Sequence, residues 1–550
     1  MNAREFLRNE TEFRFGALIT EQPHPATATL SQDITADTTR GIRVLQQVDE
    51  DVYAKAVEVF SGDGWKRLAG DFAATLEHGG TIYLTGCGST GRLSIILNAL
   101  WRRALRELAT EEKGLGFLRD IEPRLVSVMA GGDFALIKAV EDFEDFEAFG
   151  REQIGGMGLS SRDLVVAITE GGETPFVIGT AMAGVDAGAR TYFVYNNPDN
   201  VLCFARSQKV LEDPRIDKLN LTTGPMAITG STRMQATTIE MLVVGAALER
   251  ALAVCCARGG FGLQVPDYVC WLRRLLDCLK TDSIVDQMAS WVDLEAQAYP
   301  QGGQVTYYAD GAALDILSDT TERSPTFCVP TFKQLGEPTA VPSWAYLVTP
   351  AETPEQAWKE ILGRDIQPVE WDAAVYRRLL GRGVLPVSVP DIGRDSILRF
   401  PLHRDAISTR SLSDVDALVL LRYENEELEN PFEFSATAFS FSFPYFESPL
   451  NLLSHLGAKL VLNTISTATM AKLGRVHGNF MVCVVPSNRK LIDRATRYVA
   501  HLSGVGYERA CEAIFEVISQ PVSPGGRDTA VTAPVLEAVN YLTAQDSQRR

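Results

Sequence analysis

Seven consecutive residues, Gly86-Cys87-Gly88-Ser89-Thr90-Gly91-Arg92, have the types and spacing of an anion-binding turn. They follow the apolar run Thr81 to Thr85 and precede Leu93 to Trp101, which has helical spacing. A strand that turns through glycines into a helix gathers backbone N–H groups and the positive end of the helix dipole at one point. Phosphate is the usual anion bound there. Gly88 allows close approach of the backbone, and Ser89 and Thr90 add hydroxyl donors. The residues alone also fit a tight turn without a ligand. The pattern G-x-G-x-x-G is formally met, but the acidic residue that a dinucleotide needs at the end of a second strand is missing. So is the Gly-Lys-Ser/Thr of a nucleoside triphosphate loop. The phosphate is therefore expected to arrive on a small molecule.

Two more turns of the same kind follow. Leu164 to Thr169 reads as a buried strand that runs into Glu170-Gly171-Gly172-Glu173-Thr174-Pro175 and then a helix, with Pro where a missing N–H costs nothing. Thr169, Gly171 and Glu173 are candidates for contact with a ligand. Gly224 to Met234 contains Thr229-Gly230-Ser231-Thr232-Arg233 and leads into an apolar helix, which adds Ser231. Three such turns imply an open parallel sheet with a ligand at the carboxyl ends of its strands. Glu141 and Glu144 stand at i and i+3 on an expected helix and share a face. They fit a solvated acidic face, or two carboxylates that divide acid and base roles if burial separates their pKa values.

Composition narrows the function classes. The 550 residues suffice for two domains with extensions, and 45% apolar content is ordinary for globular cores. A net charge of −18 argues against a nucleic-acid partner. Nine cysteines without a C-x-x-C spacing read as reduced thiols of a cytoplasmic protein, not as a disulfide framework or zinc site. Six scattered histidines form no metal-binding pattern. No apolar run is long enough to span a membrane, and the first residues lack a signal-peptide core.

The motifs together resemble a known group. GCGSTGRL at Gly86, AGGD at Ala130, AVEDFED at Ala139 and TGSTRM at Thr229 are similar to the sugar isomerase (SIS) phosphosugar-binding fold. Within it they resemble the N-acetylmuramic acid 6-phosphate etherase branch, as do Leu18 to Glu21, Lys459 to Thr464 and Gly474 to Asn479. The resemblance implies an α/β fold of two tandem SIS domains, each a flavodoxin-like parallel sheet flanked by helices, with a small helical C-terminal cap. It implies a lyase or isomerase that acts on a 6-phosphorylated amino sugar or hexose by proton abstraction, with no metal or organic cofactor. Glu144 falls at the family's second catalytic glutamate and Glu322 at its catalytic acid. Lys459 falls on a site lysine. Gln235 and Thr90 depart from the family's usual lysine and serine and point to a different substrate. Two domains in one chain also resemble the glucokinase regulatory protein, which implies the alternative: a fructose-phosphate sensor that acts on a sugar kinase.

The second half appears in sequence as a decayed repeat. Gln304 to Gly311 stands where the first half has Thr81 onward, and Trp344 to Thr349 followed by Glu352-Thr353-Pro354 matches the strand ending at Thr169 with its Glu173-Thr174-Pro175. Asp310 replaces the phosphate loop and would repel an anion. Half two keeps Glu322 and Lys459, and half one keeps the loop and Glu144. The expectation is one composite site per chain, in an internal pseudo-dimer. The expected divisions are an arm at 1–45, a first domain at 46–270, a helical connection at 271–300, a second domain at 301–500 and a cap with a polar, frayed tail at 501–550.

Overall fold

The computed structural model describes residues 2–111, 115–140, 143–330, 332–337, 342–380, 389–432, 437–486, 488–519 and 533–549. Its first half is built on a parallel sheet of β1 (Ile82–Gly86), β2 (Leu125–Met129), β3 (Leu164–Thr169), β4 (Arg190–Tyr195) and β5 (Ile216–Asn220) in the order β2-β1-β3-β4-β5. Every residue of β1 and β3 is buried, as expected of a parallel sheet covered by helices on both faces. The strand order reverses between β1 and β3, so the helix Gly88–Glu111 after β1 and the helix Pro175–Asp186 after β3 leave a crevice at the carboxyl edge.

The second half is a four-stranded parallel sheet of β6 (Val305–Ala309), β7 (Ala345–Val348), β8 (Ala417–Tyr423) and β9 (Thr437–Phe443), in the order β7-β6-β8-β9. This corrects the strand equivalence expected from the Glu-Thr-Pro motif. By position β7 answers to β2, and β8 answers to β3. The motif recurs because it starts a helix well. The Thr353 side chain accepts the N–H of Gln356, and Pro354 opens the helix Pro354–Leu362. Among the described residues, the second sheet has no counterpart to β5.

Two helices hold the halves together. Ala236–Arg258 and Leu452–Lys472 are almost wholly buried and pack on one another. At Gly245 a Cβ would come within 2.5 Å of Leu452 Cδ1, so the close approach requires glycine. The helix Gly88–Glu111 meets Ala313–Phe327 in the same interface. Asp133 of the AGGD motif binds Arg364 of the second half in a forked pair of 2.6 and 2.8 Å, and both are buried. The motif's acid is thus an interdomain anchor. The C-terminal cap comprises Arg489–Ser503, Tyr507–Ser519 and Pro534–Arg549, so helix continues past Thr543, where a frayed tail was expected. Its apolar residues Val535, Ala538 and Leu542 are buried.

Candidate functional site

A cleft of about 230 Å³ lies at the carboxyl edge of the first sheet. Its floor is the turn after β1. Gly88 has φ +50 and lies exposed at the head of the helix, with Ser89 half-buried beside it. Gly91 is required because a Cβ there would lie 2.6 Å from Met129 Cγ on β2. Thr90 faces the other way. Its hydroxyl accepts the Cys87 N–H at 3.1 Å and donates to the Cys87 carbonyl at 2.9 Å. Thr90 is fully buried and does not line the cleft, so its side chain holds the loop in shape where a ligand donor was expected.

One wall is the turn after β3. Glu170, Gly171, Glu173 and Thr174 line it. Thr169 lies beneath, its hydroxyl 3.0 Å from that of Thr174. Arg206 donates to the Glu173 carbonyl at 2.6 Å, and Asn197 donates to the Gly171 carbonyl at 2.9 Å, which fixes the turn. The opposite wall is Gly230-Ser231-Thr232-Arg233, where the Thr232 hydroxyl donates to Glu170 Oε1 at 3.1 Å. Glu144 enters from the segment between β2 and β3. It sits on a single turn, Phe143–Asp145, and not on the expected helix. Its intended partner on that face, Glu141, lies outside the described residues.

The roof was missed from sequence. Lys490 and Arg494, one turn apart on the cap helix Arg489–Ser503, project into the cleft. Asn488 starts that helix by accepting the Leu491 N–H at 2.9 Å. Lys490 reaches Glu173 Oε1 at 3.4 Å. Burial disfavours its charge, but Glu173 and Glu144 outweigh that and hold the ammonium above its ordinary pKa. Arg494 and Arg497 both bind Glu21 of the N-terminal arm, at 2.6 and 2.7 Å. Burial opposes ionisation of Glu21, yet the two guanidiniums carry its pKa down to about 2. The signal for this roof was an Asn cap followed by two cations at i and i+4 on an amphipathic helix.

Glu322 and Lys459 do cross from the second half to the loop, but behind it. Together with Ser89, Arg92 and Asp319 they line a second cavity of about 20 Å³, while Ser89 and Arg92 also border the main cleft. Arg92 donates to Thr321 of the Glu322 helix at 3.1 Å. Glu322 is 3.5 Å from Arg233 Nε, and Asp319 binds the same guanidinium. Lys459 is spent on the interface: its Nζ donates to the Arg233 carbonyl at 2.6 Å, Thr238 at 2.8 Å and Asn463 at 2.9 Å. Burial carries its pKa down to about 8. Lys490 therefore stands in the cleft where Lys459 was expected. His455 turns away to Asp315 at 2.7 Å.

The corresponding turn of the second half is filled by its own chain. Glu426 accepts the Tyr423 N–H at 2.9 Å, and a Cβ on Gly311 would lie 2.1 Å from Glu426 Oε1. A carboxylate thus sits against the turn after β6.

Among the described residues no group of three or more His, Cys, Asp or Glu side chains could hold a metal ion, and no helix is long and apolar enough to cross a membrane. All nine cysteines are free.

The chain is similar to several known proteins. The glucokinase regulatory protein N-terminal SIS domain matches residues 68–184. N-acetylmuramic acid 6-phosphate etherase of Pectobacterium atrosepticum is 30% identical over 237 residues, which is 43% of this chain and 69% of that protein. N-acetylmuramic acid 6-phosphate etherase 1 of Bacillus licheniformis is 29% identical over 230 residues, 42% of this chain and 66% of that protein. Among solved structures, tagatose-6-phosphate ketose/aldose isomerase of Escherichia coli aligns over 81% of this chain and 95% of its own, at 12% identity and a TM-score of 0.32.

Proposed function

Because this chain belongs to the N-acetylmuramic acid 6-phosphate etherase family, we propose that its cleft binds a 6-phosphorylated sugar and eliminates a substituent from it by proton abstraction. The observation that carries the reading is the convergence in one cleft of the Gly88–Ser89 helix start with Glu144 and the ammonium of Lys490. The helix start and Lys490 take the phosphate. Glu144 takes the proton from the carbon next to the carbonyl of the open-chain sugar. The electron pair left on that carbon expels the ether oxygen from the neighbouring one, and the departing oxygen takes a proton from water, since Glu322 lies behind the loop beside Arg233 and does not line this cleft. No step in this scheme requires a metal or an organic cofactor. N-acetylmuramic acid 6-phosphate is the first substrate to offer.

The test is exchange of the proton at the sugar carbon beside the carbonyl, followed by NMR in deuterated water. The wild-type protein washes the proton out. Glu144→Gln binds the same sugar phosphate and slows exchange by about a hundredfold or more, the scale of a lost general base. Equal exchange in the variant would remove Glu144 from the reaction.

A second reading is favoured by the match to the regulatory protein's SIS domain over 68–184. In it the cleft is a sensor of a sugar phosphate that passes its state to a sugar kinase. Thermal stabilisation by sugar phosphates, with no exchange or cleavage of any of them, would select this reading.

A further inference from the structure

We propose that Glu170 is a further catalytic carboxylate of the cleft, the group that opens the cyclic sugar by taking the proton from its anomeric hydroxyl. The inference rests on the reading above, because proton abstraction beside a carbonyl needs the open chain, and a hexose phosphate arrives mostly as a ring. Ring opening calls for a base besides Glu144. The bond changes are these. The O1–H proton passes to Glu170, O1 and C1 become the carbonyl, the C1–O5 bond breaks with its electron pair on O5, and O5 takes a proton from water. Glu170 then returns its proton to solvent, and the balance is closed.

The choice of Glu170 follows from what the other carboxylates are doing. The cleft is lined by Glu21, Glu144, Glu170 and Glu173. Glu21 is held by two arginines, and Glu173 by Arg206 at 3.3 Å and Lys490 at 3.4 Å. The hydrogen bonds to Glu170 come from neutral groups, the Thr232 hydroxyl and its own backbone N–H. Its own carbonyl is fixed by the N–H of Asn196 at 3.1 Å, at the end of β4, so the side chain is aimed from a rigid base. Behind it lies Glu240, fully buried on the Ala236–Arg258 helix. Its Oε1 accepts from Asn196 Nδ2 at 2.6 Å, while its Oε2 has no partner. Burial holds Glu240 well above the usual carboxylate range, with the charge of Glu170 adding to it. A second buried carboxyl thus backs the one in the cleft.

The titratable and charged groups that act on Glu170 or feel its charge are Lys490 on the cap helix, Glu322 on the helix Ala313–Phe327, Arg92 on the helix Gly88–Glu111, Cys87 in the turn after β1, and Glu240 on the helix Ala236–Arg258. Burial raises the pKa of Glu170 to about 7 against the pull of its own backbone N–H, Lys490 and Thr232. A carboxyl that titrates there can both accept and release a proton at neutral pH.

The test follows anomer interconversion of N-acetylmuramic acid 6-phosphate by NMR saturation transfer, with binding followed separately by thermal shift. The wild-type protein accelerates interconversion, and the acceleration fades as pH falls below about 7. Glu170→Gln keeps the thermal shift, loses the acceleration by about a hundredfold and loses the pH limb. Glu170→Asp recovers part of both. Unchanged interconversion in Glu170→Gln overturns the assignment. A wild-type protein that binds the sugar but does not accelerate interconversion overturns it too. If the wild-type protein shows no thermal shift with any 6-phosphosugar, the phosphosugar reading itself falls, and this inference with it.

Discussion

At the scale of single residues, Ser89 and Thr90 are neighbours with opposite duties. Ser89 faces the cleft, and Thr90 ties the loop to itself through both polar groups of Cys87. Thr90→Val should leave the buried Cys87 N–H without its acceptor and cost about 1–3 kcal/mol of stability. Ser89→Ala should weaken sugar-phosphate binding roughly tenfold through the loss of a hydrogen bond to a charged group, with an unchanged melting temperature. Calorimetric binding and thermal unfolding of the two variants decide this, and equal behaviour of the pair would contradict it. Sequence could name the loop, since glycine spacing reports backbone geometry. It could not say which hydroxyl points inward, because that depends on where β2 packs. Glu170 was passed over for a related reason. Between Thr169 and Gly171 it reads as one more turn residue, and its burial comes from elements far along the chain that close over the turn.

At the scale of elements, the cap helix Arg489–Ser503 closes the cleft by holding the N-terminal arm. The join is Glu21, which accepts from Arg494 and Arg497. Its pKa is about 2 in the folded protein against an ordinary 4.5. The stabilisation is therefore full above pH 4.5 and is lost as pH falls from about 4.5 to about 2. Glu21→Gln should be less stable than the wild type at pH 6, and its stability should fall less steeply over that acid window, as measured by denaturant unfolding. A variant with the wild-type acid slope would show that the roof is held by other contacts. The amphipathic stretch expected from sequence began only at Ser503, so this helix and its docking onto an arm hundreds of residues earlier were both missed. The second sheet teaches the same lesson. Glu352-Thr353-Pro354 signals a helix start wherever it occurs, and the pairing of β6 between β7 and β8, which sets the topology, leaves no mark in those three residues.

At the scale of the whole molecule, the two halves are unequal. The first offers an accessible helix start, and the second presses Glu426 against its own. Calorimetry should give one sugar phosphate per chain, because a phosphate and a carboxylate cannot share a poorly solvated turn. A stoichiometry of two would show that Glu426 swings aside. The interface between halves also sets a schedule for synthesis. The Tyr498 hydroxyl, beside the roof, donates to the carbonyl of Thr229, 269 positions earlier. At ribosomal speeds of about 5–20 residues per second, the floor and walls wait on the order of half a minute for their roof. A nascent chain in that interval has the Gly88–Ser89 turn but not Lys490 or Arg494, so it gains little from ligand. Rescue by sugar phosphate then reaches only chains translated past the cap helix, and a transcript broken before that point yields a protein that no abundance of substrate can protect.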